Sequence, residues 1–166
     1  MLVERCILAP GAGEGAGNRI PRRHPSGVVQ SQDSWRDHMV HPRDFVIYVV
    51  VHDDAVRDSI RVLLYSMRFP TCCFNSASEF LRAERPVADS CLILDEDMAD
   101  MSGSELLDRL RSEGLRIPAI IMAAQVNARV QQAGERIDTI VLAKPCEPDK
   151  LIGCLAKALA SNQRRT

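Results

Sequence analysis

Hydrophobic positions in this chain are grouped, and from Phe45 onward the groups alternate in kind. Phe45-Val-Ile-Tyr-Val-Val-Val51 is an unbroken apolar run rich in β-branched residues, which predicts a strand covered on both faces. Val56, Ile60, Leu63, Leu64 and Met67 then recur at helical spacing with Arg57, Asp58 and Arg61 between them, predicting an amphipathic helix with those apolar residues inward. Pro70 to Phe74 reads as a weaker second strand, and Ser76-Ala-Ser-Glu79 as a capping box opening a short helix with Phe80 and Leu81 inward. A third strand, Cys91-Leu-Ile-Leu94, ends in Asp95. Ser102-Gly-Ser-Glu105 is a second capping box, ahead of a helix carrying Leu106, Leu107 and Leu110. Pro118 introduces Ala119-Ile-Ile-Met122 as strand four. Gln125 to Gly134 is the least apolar helix, with Val126, Val130 and Ala133 expected inward. Thr139-Ile-Val-Leu142 reads as strand five, and a last helix starts near Pro148 with Leu151, Ile152, Leu155 and Leu159.

Five strands alternating with five helices predict an α/β fold, a doubly wound parallel sheet with helices on both faces. Right-handed crossovers favour the flavodoxin-like strand order 2-1-3-4-5. Upstream, residues 1–43 are rich in Gly and Pro, carry more Arg than acidic residues, and hold no periodic apolar pattern. They are expected to form a flexible tail. The domain is thus expected over 44–160, with a short polar tail at 161–166. Met39, just upstream of the first strand, is a candidate working start.

The 166 residues carry 21 Lys and Arg against 22 Asp and Glu, a balance that disfavours a strongly electrostatic grip on nucleic acid. The longest apolar run, Phe45 to Val51, is far short of the ~20 residues that span a bilayer. Its six Cys include no C-x-x-C, and several lie in apolar stretches. A reduced, cytoplasmic protein without a metal–thiolate site is expected.

In such a sheet, ligands lie beyond the carboxyl ends of the strands. That edge collects His52-Asp53-Asp54, Asp95, Ala123-Ala124 and Lys144-Pro145. With these residues in place, Tyr48 to about Leu159 resembles the receiver domain of bacterial two-component response regulators, most closely those of nitrogen-fixation regulators. The matching stretches are Ala55-Val-Arg-Asp-Ser-Ile60, Ser76-Ala-Ser-Glu-Phe-Leu81, Leu92-Ile-Leu-Asp-Glu-Asp-Met98, Met101-Ser-Gly103, Glu105-Leu106 and Lys144-Pro145.

The resemblance implies a CheY-like phosphorelay module in which Asp95 accepts a phosphoryl group and Lys144 contacts it. An Mg²⁺ ion would be held by an acidic pair after strand one, by Asp95, and by the backbone carbonyl of Asp97. This chain departs from that pattern. Val51 and His52 stand where the acidic pair belongs, so Asp53, with Asp95 and Asp97, makes at best a degenerate Mg²⁺ site. Ala123 replaces the switch Thr or Ser, Val141 the switch aromatic, and Ala99 a loop proline. Weak or absent phosphorylation is expected, in an atypical or even phosphorylation-independent receiver.

The implied partners are a sensor histidine kinase or phosphotransfer protein upstream and another protein downstream. After Leu159 only a short polar stretch follows, which predicts a stand-alone module without direct DNA binding or membrane association. The partner surface is expected on the fourth helix, fifth strand and fifth helix, the fourth helix being a mobile element of it. A second resemblance competes. Asp95-Glu-Asp97 after an apolar strand also matches the D-x-D of haloacid-dehalogenase-type phosphatases, in which the first Asp is the nucleophile and the second an acid/base.

Overall fold

The computed structural model describes residues 6–7, 45–83, 86, 89–136 and 138–163. Five parallel strands follow the expected winding: β2 (Val46–Val50), β3 (Thr71–Phe74), β4 (Ser90–Asp95), β5 (Ala119–Ala123) and β6 (Thr139–Ala143). A two-residue strand, β1 (Cys6–Ile7), adds to them, and the sheet runs β1-β3-β2-β4-β5-β6. Without β1 this is the 2-1-3-4-5 order. The helices are α1 (Asp54–Ser66), α2 (Ala77–Arg82), α3 (Gly103–Ser112), α4 (Ala128–Gly134) and α5 (Pro148–Gln163).

The period-two geometry of strands sorts the apolar runs into two layers. Ile47, Val49 and Val51, Cys91 and Ile93, and Ile120 and Met122 pack with Ile60 and Leu64 of α1 and Leu151, Leu155 and Leu159 of α5. Tyr48 and Val50, Leu92 and Leu94, and Ala119 and Ile121 pack on the other side with Phe80 of α2, Leu106, Leu107 and Leu110 of α3, and Ala133 of α4. A continuous apolar strand is therefore the signature of a sheet with two dry faces. Both capping boxes act at their helix starts. Ser102 and Glu105 exchange both hydrogen bonds, whereas Glu79 reaches one residue past Ser76 to the Asn75 N–H.

Several details differ from expectation. β1 pairs antiparallel with β3, Cys6 opposite Cys72, so the first 43 residues contribute a strand. The rest of that stretch, Met39 included, lies outside the described residues. Cys72 is disulfide-bonded, which departs from a fully reduced cysteine set. α5 continues to Gln163, past the expected boundary at 160. α4 begins only at Ala128, because Asn127 caps it by accepting the Val130 N–H. Val126 consequently lies ahead of the helix, 58% exposed rather than inward, and Val56 is 37% exposed on α1. Among the described residues no helix is long and apolar enough to cross a membrane.

Candidate functional site

Strand parity decides what the rim holds. Asp95 continues the Cys91, Ile93 row of β4, and Lys144 continues the Ile140, Leu142 row of β6. The two side chains therefore leave their strands on the α1/α5 side. They meet there: Lys144 Nζ lies 2.5 Å from Asp95 Oδ1 and 3.2 Å from Asp97 Oδ2. Asp95 is 1% exposed. Its Oδ1 also accepts the Asp97 N–H at 3.0 Å, and Asp97 Oδ2 accepts the Ala124 N–H at 3.2 Å. Three strand ends are thus tied together by one ammonium and two carboxylates. The Lys144–Pro145 peptide bond is cis.

The electrostatics follow from these partners. Burial disfavours ionisation of Asp97, but the Ala124 N–H and the Lys144 ammonium outweigh it and hold its carboxyl below the usual carboxylate range. Burial likewise disfavours the charged form of Lys144. Hydrogen bonds and Coulomb attraction from Asp95 and Asp97 overcome that and raise its pKa.

Two residues without an obvious role in the sequence build the loop beneath Asp95. The buried Glu96 carboxylate accepts both the N–H and the hydroxyl of Ser104, each at 2.8 Å, fastening the strand end to the first turn of α3. Gly103 lies so close that a Cβ there would sit 2.7 Å from the Asp95 carbonyl oxygen, so α3 can start at this point only with glycine. The one sequence signal for Glu96 was a carboxylate between two others with a serine eight residues on.

Of the predicted metal set, Asp95 and Asp97 share Lys144, whereas Asp53 is engaged at the start of α1. Asp53 is the N-cap of α1: its Oδ1 accepts the Val56 N–H at 3.0 Å, which with other nearby donors lowers its pKa. Val51 is fully buried in the α1/α5 layer, and His52 is exposed. Among the described residues no three His, Cys, Asp or Glu side chains are grouped to hold a metal. Mg²⁺ demands a near-octahedral shell of oxygens, and the donors present do not fit it.

The two altered switch positions lie on the opposite parity. Ala123 is fully buried at the end of β5. Val141 of β6 lies under α4, where a Cβ on Gly134 would come within 2.9 Å of Val141 Cγ2. Between α1 and the β6–α5 connection, a largely apolar groove of about 380 Å³ opens beside the site, lined by Val56, Ile60, Leu63, Lys144, Cys146 and Leu151 among others.

Comparison with known proteins settles the family. Residues 47–156 match the response regulator receiver domain. The chain belongs to that family. It is 32% identical over 125 residues to the response regulator protein TmoT of Ectopseudomonas mendocina, an alignment covering 75% of this chain and 56% of TmoT. It is 31% identical over 114 residues to the transcriptional regulatory protein FixJ of Bradyrhizobium diazoefficiens, covering 68% and 56%. The receiver thus spans about half the length of the curated relatives it matches. Among solved structures, response regulator StyR superposes with a TM-score of 0.64 at 34% identity, covering 73% of this chain and 62% of that one. The FixJ-N structure gives 0.61 at 29% identity, covering 70% and 94%.

Proposed function

We propose that this receiver is an atypical signalling module of a two-component system, in which Asp95 stands at the phosphoacceptor position and output passes through protein–protein contact. One observation carries the reading. The place of the metal-binding acidic pair is taken by Val51, buried in the core, while Lys144 spans Asp95 and Asp97 directly. A carboxylate attacking an anionic phosphoryl group needs cationic charge to offset repulsion, and a side chain engaged with two carboxylates supplies little of it.

The readout positions support the same conclusion. Ala123 has no hydroxyl to follow a phosphoryl oxygen. A hydrogen bond to a charged group contributes ~1.5–3 kcal/mol, as much as the ~1–3 kcal/mol of a whole allosteric coupling. The upstream partner is a histidine kinase or phosphotransfer protein. The downstream partner engages the α4–β6–α5 face, where Val126 and the partly exposed Ile140 and Val141 lie.

Phosphate-affinity electrophoresis after incubation with acetyl phosphate and Mg²⁺ tests this. The wild type is expected to run unmodified. Replacing Val51→Asp together with His52→Asp is expected to restore a shifted band that Asp95→Asn removes. A strong Mg²⁺-dependent band from the wild type would refute the reading.

A further inference from the structure

One oxygen of each carboxylate at this rim is already bonded, as are two loop carbonyls, and cationic side chains of the protein hold most of these. Arg57, on the first turn of α1, donates from Nη1 to the Val51 carbonyl at 2.8 Å and the His52 carbonyl at 3.2 Å, and from Nη2 to Asp54 Oδ1. Its side chain is only 17% exposed, set into the β2–α1 loop. Lys144 takes Asp95 Oδ1 and Asp97 Oδ2, and each of those two oxygens also accepts a backbone N–H. The Val56 N–H takes Asp53 Oδ1.

We propose that Lys144 at the carboxylates, with Arg57 in the adjoining β2–α1 loop, supplies the resident positive charge of this rim in the role the receiver family gives to a divalent ion, so that the rim is charge-compensated without metal. The proposal deepens the reading above and rests on it. Two physical points support it. An ion approaching Asp95 Oδ1 would lie against the Lys144 ammonium, and like charges at such a distance in a part-buried site repel strongly. An ion approaching the β2–α1 loop would have to displace a planar fork that matches two carbonyls and a carboxylate at once, a geometry guanidinium holds better than any other side chain. Each organic cation also carries a single charge and needs no shell of six oxygens, which suits a rim where valine has replaced an acid.

The test uses Mn²⁺ as the probe, followed by the electron paramagnetic resonance signal of the free ion during titration of the full chain, with thermal unfolding alongside. For the wild type, the free-ion signal is expected to match protein-free buffer. Its Tm is expected to be the same in MgCl₂ as in NaCl of equal ionic strength. Lys144→Ala leaves Asp95 and Asp97 without a cation. That variant is expected to show a lower Tm, partly regained with MgCl₂ but not NaCl, and a saturable loss of free Mn²⁺ signal. Lys144→Arg, which keeps the charge, is expected to show neither metal effect. A saturable Mn²⁺ uptake by the wild type that Asp95→Asn abolishes overturns the proposal, as does a Lys144→Ala protein as stable as the wild type. Because wild-type Mn²⁺ binding is read independently of phosphorylation, failure here is distinguishable from a strong acetyl phosphate band, which would refute the signalling reading instead.

Discussion

At the scale of single residues, Glu96 and Asp53 show how similar carboxylates acquire different work. Glu96 is buried with two donors from Ser104, so its removal leaves an N–H and a hydroxyl unsatisfied in a dry setting. Glu96→Ala is expected to destabilise the receiver by ~1–3 kcal/mol, read as a lower urea midpoint, with Glu96→Gln recovering part of the loss because an amide oxygen still accepts. Asp53 lies at the helix boundary, where a carboxylate satisfies an otherwise unpaired N–H. Asp53 stands three residues before Val56, the first apolar position of the amphipathic pattern, so its capping role was readable there. The resemblance drew attention to metal chemistry instead. Asp95 and Lys144 were legible because each directly ends a buried apolar run. The guanidinium of Arg57 was not, since a hydrogen bond to backbone carbonyls leaves no mark in residue pattern.

Among the elements, the β-strands were the most legible, because two-sided burial makes them continuously apolar and each expected strand lies within a residue of the observed one. The polar α4 was the least. Its expected start at Gln125 missed the Asn127 cap, and contacts to α3 and β6 seat it. Arg129 pairs with Glu105 and Arg136 with Asp108 across to α3, although such exposed pairs contribute only ~0.2–1 kcal/mol each. Closer fixation comes from Val130 and Ala133, which are buried, and from Gly134 over Val141. An added methyl at that approach must push Val141 aside. Gly134→Ala is therefore expected to destabilise the fold and Val141→Ala to relieve the clash. A double-mutant cycle in chemical denaturation should return a coupling of ~0.5–3 kcal/mol. Additive single effects would show that α4 is not seated on β6 in this way.

For the molecule as a whole, the rim sets a pH window. Asp97 and Glu105 ionise below the usual carboxylate range. The stability they contribute is complete above the ordinary carboxylate pKa and is lost as pH falls through their depressed values. Lys144 acts with the opposite sign: its contribution is complete below the ordinary lysine pKa and is lost as pH rises through its raised value. Thermal unfolding is thus expected to show a plateau across neutral pH with a decline at each extreme. Asp97→Asn should flatten the acid limb, and Lys144→Met the alkaline one.

The little strand β1 has a separate consequence at this scale. A five-stranded receiver sheet would leave β3 with a row of unsatisfied backbone N–H and C=O groups along one side, a template for pairing with a neighbouring molecule. Cys6 and Ile7 occupy that row opposite Cys72 and Thr71. Translation from Met39 instead of Met1 would therefore yield a chain more prone to self-association. Light scattering of a protein lacking residues 1–38 is expected to report larger particles at concentrations where the full chain stays monodisperse.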